Sequence, residues 1–516
     1  MKKRPALILT NILLILFIIE ISGADAKKSA PAARNKQPQS QRSSIKQSLD
    51  NVFDVPEFAD SLWGVCVQKL DGETLYDYNG NKWMLPASNM KIYSGAAALD
   101  ILGENFRYET RLEAIGSIGE NGSLKGHLLI TGSGDPSLGS WHIKDWNGSA
   151  ALLKSWAEEL KKKGIQSVEG NIIGDGRYFT DEYYCDAWEI DDIPYWYSAG
   201  SSGLAIEENC FRFTLAPGKK VGDKALLTLN PGTQYVTVIN EVITKEPGSG
   251  STGDIVWRGT DSNVIRFAGT VALDAKPFTQ RGSVWDGACY TAFLLKEALQ
   301  REGIAVAGKA RNIRDLPDAA SIDKTPASEK ILIAVHQSPP LSDFLPLVNK
   351  ISHNFFADHL LRTIGRRVKG QGDFKSGADA VKAWLKKIGA PNAEKLVMED
   401  GCGLSRRDFV QPRQTCAILR YMYNKETLRK TYYESLSFGG VDGELKYRMS
   451  QPPLYRNVRA KAGYIAYTRC LSGYVKNADG EILVFSMMCN QLRREVNTAD
   501  KLIDAACKIL AEYSEK

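Results

Sequence analysis

The sequence predicts an α/β (α+β) fold in which an antiparallel sheet with helices on both faces is interrupted by a large β-rich insertion. Strand-like runs and helices occur towards both ends of the chain, so residues 46–104 and 281–516 are predicted to form one outer domain. Between them, residues 105–280 consist mainly of short alternating segments separated by Gly, Asn, Asp and Pro turns. This stretch is predicted to be the insertion, built as one lobe or two.

The outer domain begins with a predicted hairpin and a buried helix. Residues 63–68 alternate as a strand, Asp71-Gly72 is a turn signal, and residues 75–78 return as the second strand. The stretch 92–102 is Ala-rich and apolar and stops at a glycine. That pattern is typical of a buried helix with a glycine cap.

The remaining elements follow from alternation and helical periodicity. In the insertion we expect a helix at 150–163 and strands at 127–131, 168–173, 211–215, 226–229 and 264–271. In the second half of the outer domain we expect helices at 287–302, 341–366, 376–388, 414–423 and 497 to about 513, and strands at 458–462, 470–475 and 482–488.

The N-terminus reads as an export signal followed by a linker. Residues 1–26 combine a basic start at 2–4, an apolar run at 12–19 and a small-x-small cleavage site at 24–26. An uncleaved anchor is the alternative, but the apolar core is short for a bilayer span. Residues 27–45 carry five basic residues and no acidic ones, which predicts a disordered linker. We therefore expect a periplasmic or otherwise exported protein with no membrane span after cleavage.

Composition argues against several other classes of protein. The net charge of +6 is small for 516 residues and lies largely in the N-terminal tail, so no nucleic-acid surface is predicted. Nine cysteines contain no Cys-x-x-Cys pair, and the five histidines form no His-Glu-x-x-His, so no metal site is predicted. Most cysteines lie in apolar contexts and are interpreted as small buried residues. One or two disulfide bonds are the alternative.

Ser88-Asn89-Met90-Lys91 is the first candidate catalytic motif. A spacing of three brings Lys91 onto the same helical face as Ser88, where its amine is able to activate the weakly nucleophilic hydroxyl. The alternative is a serine N-cap with a solvated lysine. The same pattern recurs at 43–46 and at 321–324. Only the copy at Ser88 has a strand, a turn and an apolar helix around it.

Two further motifs supply polar groups that would complete such a site. Ser352-His353-Asn354 is the only Ser-x-Asn in the chain and offers a second hydroxyl and an amide, although both residues also favour helix N-caps. Lys461-Ala462-Gly463 ends a strand-like run, where the lysine offers a cation and Gly463 allows close approach to a ligand. Lys-x-Gly is nonspecific and recurs at four other positions.

Together and in this order, the three motifs resemble those of the penicillin-binding proteins, namely Ser-x-x-Lys, Ser-Asp-Asn and Lys-Thr-Gly. More narrowly, the chain resembles the class C low-molecular-mass group, the D-alanyl-D-alanine carboxypeptidase/endopeptidase family. The interval of 264 residues from Ser88 to Ser352 leaves room for the large insertion that marks this group. The resemblance implies that the outer domain has the fold shared by serine β-lactamases and penicillin-binding transpeptidase domains.

Other segments extend the resemblance over about residues 50–513. Residues 132–138 (Gly-Ser-Gly-Asp-Pro-Ser-Leu) resemble the Gly-rich Asp-Pro segment of the insertion. Residues 400–406 resemble an Asp-Gly-Ser-Gly-Leu-Ser-Arg segment, with a cysteine in place of its first serine. The segments at 440–443 and 471–474 also resemble segments of this family.

The resemblance assigns a role to each motif residue. It implies that Ser88 is the acylated nucleophile and Lys91 its general base. Ser352 and Asn354 would form a second wall of the site, and Lys461 would supply the cation of a third.

The implied reaction is acyl transfer on peptidoglycan stem peptides. Ser88 would attack the carbonyl of D-Ala, with the backbone N–H groups of Ser88 and Tyr464 as the oxyanion hole. D-Ala or a cross-linked amine would leave, and water would hydrolyse the acyl-enzyme. β-Lactams would be trapped at the same serine, and no cofactor or metal is required.

Two more substrate contacts and one departure also follow from the resemblance. Arg406 matches an arginine near the leaving side of the substrate, and Asp175 resembles an acidic contact for a side-chain amine of the stem peptide; a structural surface charge is the alternative for each. Ala462 and Tyr464 stand where the family has hydroxyl residues that bind the terminal carboxylate. We therefore expect weakened carboxypeptidase activity and penicillin acylation, unless Thr468 or Ser405 substitutes.

Two other classes compete with this interpretation. A non-catalytic or weakly active wall-binding relative is the first, and a β-lactamase or esterase on the same fold is the second. The intact motif residues argue against the first class, and the large insertion argues against the second.

Overall fold

The computed structural model describes residues 45–143, 148–230, 232–493 and 496–515. The predicted signal at 1–26 and all but the last residue of the predicted linker lie outside these ranges. Within them, none of the helices combines the length and apolar character needed to cross a membrane.

The helices and strands are numbered in chain order. The α-helices are α1 (Ile45–Phe53), α2 (Met90–Leu102), α3 (Gly148–Lys162), α4 (Gly287–Arg301), α5 (Ala319–Lys324), α6 (Leu341–Lys350), α7 (Asn354–Lys369), α8 (Phe374–Lys387), α9 (Pro412–Asn424), α10 (Glu426–Ser435) and α11 (Val496–Glu512). The strands are β1 (Leu62–Lys69), β2 (Thr74–Tyr78), β3 (Glu109–Ile118), β4 (Ser123–Gly132), β5 (Ser167–Val168), β6 (Ile172–Asp175), β7 (Cys210–Ala216), β8 (Leu226–Asn230), β9 (Thr237–Asn240), β10 (Ile243–Lys245), β11 (Asp254–Arg258), β12 (Val264–Ala268), β13 (Thr270–Ala272), β14 (Phe278–Ser283), β15 (Ala305–Val306), β16 (Ala310–Asn312), β17 (Lys330–Gln337), β18 (Ser437–Phe438), β19 (Arg459–Ile465), β20 (Thr468–Lys476) and β21 (Ile482–Asn490).

A six-stranded antiparallel sheet forms the centre of the outer domain. Its strand order is β18-β19-β20-β21-β1-β2. β1 pairs with β21 along its whole length, with Leu62 opposite Asn490 and Lys69 opposite Leu483. The first hairpin of the chain therefore lies beside the last strand, as predicted from strands at both ends of the sequence.

Helices cover both faces of this sheet because its side chains alternate. Val65 and Phe485 point to one face and pack with α1 and α11 in one buried apolar cluster. Cys66 and Val484 point to the other face and pack with α2, α7 and α9. The predicted two-sided arrangement is confirmed.

The insertion contains a seven-stranded sheet and three smaller sheets. In the larger sheet, β3 pairs with β4 and with β17, while β6 pairs with β4 and β16. One apolar cluster runs from the larger sheet into the strands of the smaller ones and includes Leu112, Ile130, Phe213 and Phe267.

Strand pairing extends the insertion beyond the boundary predicted at residue 280. β17 lies antiparallel to β3, with Gln337 opposite Glu109. Leu295 and Leu299 of α4 belong to the buried cluster of the insertion, not to that of the outer domain. Periodicity identified α4 as amphipathic but carries no information about which core its apolar face joins. We place the end of the insertion near residue 337.

The predicted helix at 341–366 is two helices in the structure. α6 ends at Lys350 and α7 begins at Asn354, and Ser352 between them has a φ of +61°. This left-handed residue breaks the helix although the apolar periodicity continues through the break. The interruption sets Ser352 and Asn354 at the N-terminus of α7.

All nine cysteines lie within the described residues, and all are free thiols. Every one except Cys289 is buried. This agrees with their interpretation as small buried residues rather than as disulfide partners.

Candidate active site

Ser88 lies in a tight turn that is fixed by both the helix and the sheet. Ala87–Asn89 form a 3-10 turn that runs directly into α2. Ala87 has a φ of +46°, which is uncommon for a residue with a side chain. Asn89 Nδ2 donates to Ser472 Oγ of β20 at 2.8 Å. The turn is therefore anchored on the strand next to β19.

The amine of Lys91 is buried one turn after Ser88. Its Nζ lies 3.0 Å from Ser88 Oγ, 2.6 Å from Asn354 Oδ1 and 2.7 Å from the carbonyl oxygen of Cys402. Burial lowers the pKa of Lys91 below its ordinary value, against the opposing effect of nearby acidic groups. A lowered pKa increases the population of neutral amine, which is the form that accepts a proton.

Asn354 connects Lys91 to the insertion. Its Oδ1 accepts from Lys91, while its Nδ2 donates to the carbonyl oxygen of Tyr197 at 2.8 Å. Ser352 precedes α7 and is half-buried. In the part of the chain that the structure describes, no hydrogen bond engages the Ser352 hydroxyl, so it is available to a ligand.

Lys461 lies on β19 with its side chain completely buried. Its Nζ forms an ion pair with Glu444 Oε2 and lies 2.5 Å from the carbonyl oxygen of Ala462. Burial lowers the pKa of Lys461 to about 8, although Glu444 acts to raise it. Lys461 is therefore a cation near neutral pH whose charge already has a partner.

Two glycines allow the other walls to approach the Ser88 turn. A Cβ on Gly463 would lie 2.8 Å from the carbonyl oxygen of Pro86, so β19 passes directly beside the turn. Gly403 has a φ of +82°, and a Cβ there would lie 1.8 Å from the carbonyl oxygen of Ala87. Both contacts require glycine, because a side chain would collide with backbone.

The structure thus brings Ser88, Lys91 and Asn354 into direct contact and sets β19 beside them. A match to a known protein family agrees with this geometry. Residues 45–512 match the D-Ala-D-Ala carboxypeptidase 3 (S13) family.

The chain belongs to this family. The resemblance seen in the sequence is confirmed, and the protein is a D-Ala-D-Ala carboxypeptidase of the S13 family.

Two relatives illustrate how much of the chain is shared. The D-alanyl-D-alanine carboxypeptidase of Actinomadura sp. strain R39 is 30% identical over 484 residues, which cover 91% of this chain and 85% of the relative. The D-alanyl-D-alanine carboxypeptidase DacB of Haemophilus influenzae is 29% identical over 456 residues, which cover 85% of this chain and 90% of the relative.

Solved structures support the predicted fold class. Penicillin-binding protein 4 (dacB) from Haemophilus influenzae has a TM-score of 0.76 and 28% identity, covering 90% of this chain and 99% of that one. The same protein in complex with a β-lactam has a TM-score of 0.70 and covers 89% of this chain and 97% of that one. The penicillin-binding fold predicted for the outer domain is confirmed.

In this S13 chain, Ala462 and Tyr464 occupy the positions where the family has carboxylate-binding hydroxyl residues. Ala462 is half-buried and packs beside the cluster of α1 and α11. Tyr464 is half-exposed, and its ring lies under the guanidinium of Arg469 at 3.6 Å. The two possible substitutes, Thr468 and Ser405, are both buried and engaged in hydrogen bonds. Thr468 Oγ1 accepts from Asn490 Nδ2, and Ser405 Oγ accepts from the backbone N–H of Arg407.

Of the two further predicted substrate contacts, Arg406 and Asp175, the structure places Arg406 beside the end of β19. Arg406 donates to Glu189 Oε1 at 2.6 Å and to the carbonyl oxygen of Ala466, which follows β19, at 3.2 Å. Asp175 lies at the end of β6, where its carboxylate pairs with Arg177. Its polar contacts are with Arg177, within the insertion.

Sequence reasoning missed the carboxylate that holds the second motif. Glu208 Oε2 lies 2.8 Å from His353 Nε2, and Glu208 Oε1 lies 2.8 Å from His142 Nδ1. The other carboxylate it missed is Glu444. The sequence contains a signal only for Glu208. His353 stands where the family has an aspartate, and a histidine at that position favours an acidic partner.

Two groups of side chains within the described residues have donor atoms close enough for a metal ion, namely His142, Glu208 and His353, and Asp358, Asp400 and Cys402. In the first group, Arg281 lies 3.9 Å from Glu208, which disfavours a second cation. In the second, Asp400 accepts hydrogen bonds from the backbone N–H groups of Cys402, Gly403 and Ser405. In both groups, an arginine or backbone N–H groups of the protein therefore already interact with a carboxylate that a metal ion would need.

Proposed function

We propose that this carboxypeptidase cleaves the terminal D-Ala from peptidoglycan stem peptides through an acyl-enzyme on Ser88. The observation that carries the proposal is the environment of Lys91. A neutral amine has two N–H donors, which match its two acceptors, Asn354 Oδ1 and the carbonyl oxygen of Cys402. Its lone pair is then directed to the Ser88 hydroxyl, 3.0 Å away.

The acylation step follows from this arrangement. Lys91 takes the proton of Ser88 Oγ as the oxygen attacks the carbonyl carbon of the penultimate D-Ala. The backbone N–H groups of Ser88 and Tyr464 stabilise the tetrahedral oxyanion. The proton held by Lys91 passes through the Ser352 hydroxyl to the departing amine, and the C–N bond breaks. D-Ala leaves, and the acyl group stays on Ser88.

Deacylation uses the same groups. Lys91, neutral again, takes a proton from water as the water attacks the ester carbon. The ester bond breaks, Ser88 Oγ recovers a proton from Lys91, and the shortened peptide leaves. A cross-linked amine in place of D-Ala gives endopeptidase activity by the same steps. A β-lactam acylates Ser88 but retains its leaving amine, so the second step is slow.

Labelling with a fluorescent penicillin tests the proposal, together with release of D-Ala from a pentapeptide. Wild type is expected to label and to release D-Ala, and both activities are expected to be absent in Ser88→Ala. Ser321→Ala is a matched control, because Ser321 and Lys324 have the same spacing on the short helix α5. Labelling that persists in Ser88→Ala, or that disappears in Ser321→Ala, would contradict the assignment.

We also propose that the protein works in the periplasm. The basic start, apolar core and small-x-small site within residues 1–26 support export, and its substrate lies outside the cytoplasm. Intact mass of the exported protein is the test. A mature chain that begins at Lys27 is expected, and a chain that retains residues 1–26 would favour an uncleaved anchor.

A further inference from the structure

Glu444 is held against Lys461 by an anchored turn. It lies in the 3-10 turn Gly443–Leu445, where Leu445 is buried. A Cβ on Gly443 would meet Ser437 Oγ at 2.3 Å and the carbonyl oxygen of Lys350 at 2.8 Å, so the turn presses on β18 and on the end of α6. The backbone N–H of Glu444 donates to Ser437 Oγ at 3.2 Å.

A second ion pair fixes the approach to this turn. Lys350 Nζ lies 2.7 Å from Asp442 Oδ2, and Asp442 Oδ1 accepts from the backbone N–H of Phe438 at 2.8 Å. Restrained backbone on both sides of Glu444 therefore holds its carboxylate against Lys461. A flexible surface carboxylate would lack these restraints.

Two further cations near the C-terminal end of β19 also face carboxylates. Arg406 donates to Glu189 at 2.6 Å, and Arg469 lies 3.8 Å from Asp500 while it donates to the carbonyl oxygen of Thr468. With Lys461 paired to Glu444, these three cations each face a carboxylate, whereas Arg459 at the start of β19 packs over the rings of Tyr433 and Phe438. Ala462 adds no hydroxyl. The strand thus offers little net attraction to an incoming carboxylate.

On the basis of the proposed function, we propose that Glu444 is a specificity-determining residue that removes the preference for a free carboxylate on the leaving residue. Glu444 and Lys461 form a dipole, whose field falls off faster with distance than that of a single cation. Donor peptides whose leaving residue carries a neutral carboxamide are then accepted about as well as those that end in a free carboxylate.

The test compares two peptides that differ only at the C-terminus. One ends in D-Ala-D-Ala with a free carboxylate, and the other ends in the corresponding carboxamide; release of D-Ala or D-alaninamide gives kcat/KM for each. In wild type the ratio of carboxylate to carboxamide is expected to be about one. In Glu444→Gln the ratio is expected to rise roughly five- to tenfold, because the Lys461 charge is no longer cancelled.

The measurement is made near pH 6.5, because loss of Glu444 lowers the pKa of Lys461 further and the ammonium must stay protonated. Two variants serve as controls. Glu444→Asp keeps the charge and is expected to keep the wild-type ratio. Glu512→Gln removes the same charge from an exposed site on α11 and is expected to leave the ratio unchanged.

The outcomes separate this inference from the proposed function. A ratio that rises in Glu444→Gln alone supports it. Turnover of both peptides with the same ratio in wild type and Glu444→Gln overturns the inference and leaves the proposed function standing. If wild type turns over neither peptide and does not react with penicillin, the proposed function fails and the inference fails with it.

Discussion

Glu208 Oε2 lies 2.8 Å from His353 Nε2, so a carboxylate of the insertion holds the middle residue of the Ser352-His353-Asn354 segment. Glu207, Glu208 and Asn209 all have a φ between 50° and 57°, a run of left-handed residues that is unusual outside glycine. The strained segment presents Glu208 to α7. The insertion therefore positions one wall of the active site.

Other contacts point in the same direction. Asn354 Nδ2 donates to the carbonyl oxygen of Tyr197, and His359 Nδ1 lies 2.9 Å from the carbonyl oxygen of Gly134. Three residues on or just before α7 thus contact three segments of the insertion. We therefore expect substitutions in these segments of the insertion to alter acylation, although the segments do not contact Ser88.

Glu208→Gln is expected to reduce both stability and acylation. Glu208 is 1% exposed and accepts from His353, His142 and Ser140, so loss of its charge weakens a buried network. We expect the free energy of unfolding to fall by about 1–3 kcal/mol and the rate of penicillin acylation to fall as well. Denaturant unfolding and fluorescent-penicillin kinetics measure the two effects.

Glu207→Gln is the matched control for this prediction. Glu207 is the preceding residue, is also buried, and hydrogen-bonds Ser149 within the insertion instead of α7. It is expected to cost stability with little effect on acylation. Equal losses of acylation in both variants would show that the insertion acts only through overall stability.

Acid is expected to destabilise the protein through the same pair. Burial lowers the pKa of His353 below its ordinary 6.5 despite the opposing effect of Glu208. Burial alone would raise the pKa of Glu208, but His353 and His142 outweigh it and hold that pKa below its ordinary 4.5. In both cases the unfolded chain binds more protons, so stability falls as the pH falls.

The measurement is the free energy of unfolding at pH 7, 6 and 5, in wild type and in His353→Gln. The glutamine keeps a hydrogen-bonding side chain but removes the titrating ring. We expect a smaller loss between pH 7 and pH 5 in the variant. Parallel losses in the two proteins would assign the acid sensitivity to other groups.

The part of the site that depends on local spacing could be predicted from the sequence. The part that depends on contacts between distant segments could not. Ser88 and Lys91 lie three residues apart at a helix start, so helix geometry alone brings them together. Gly463 was expected to let the strand pass close to a ligand; in the structure it lets β19 pass close to the carbonyl oxygen of Pro86, just before Ser88. Glu208 and Glu444 reach the site from segments without a recognisable motif, so their pairing with His353 and Lys461 becomes visible only in three dimensions.

In the fold, too, local patterns predicted some features and missed others. Alternation and helical periodicity identified the central sheet and most of its helices. They did not identify the break at Ser352, because a left-handed φ interrupts a helix without interrupting its apolar pattern. They also misplaced the end of the insertion, because the pairing of β17 with β3 joins residues more than 200 positions apart.

Acylation by a carboxylate-bearing donor is expected to lose rate at high pH as Lys461 loses its charge. Lys91 acts as a neutral base, and burial lowers its pKa below 10.5, so the rate rises with pH through that lowered pKa. Lys461 has a pKa of about 8 and loses its charge above it, which leaves Glu444 unbalanced. The rate is therefore expected to fall above about pH 8.

The kcat/KM profiles of the carboxylate and carboxamide peptides measure this dependence. The fall at high pH is expected to be weaker for the carboxamide, which carries no charge for Glu444 to repel. Glu444→Gln is expected to move the descending limb to lower pH, because Glu444 raises the pKa of Lys461. A descending limb that stays in place in this variant would assign it to another group.

Ala462→Thr is expected to raise the rate of penicillin acylation. β19 accepts a β-branched residue readily, and the resemblance to the family implies a carboxylate-binding hydroxyl at this half-buried position. One hydrogen bond to a charged group is worth roughly 1.5–3 kcal/mol, about tenfold or more in rate if it forms in the transition state. Ala462→Val is the matched control, because valine has the shape of threonine without its hydroxyl. A gain in Ala462→Val equal to that in Ala462→Thr would mean that strand packing, and not carboxylate recognition, limits this enzyme.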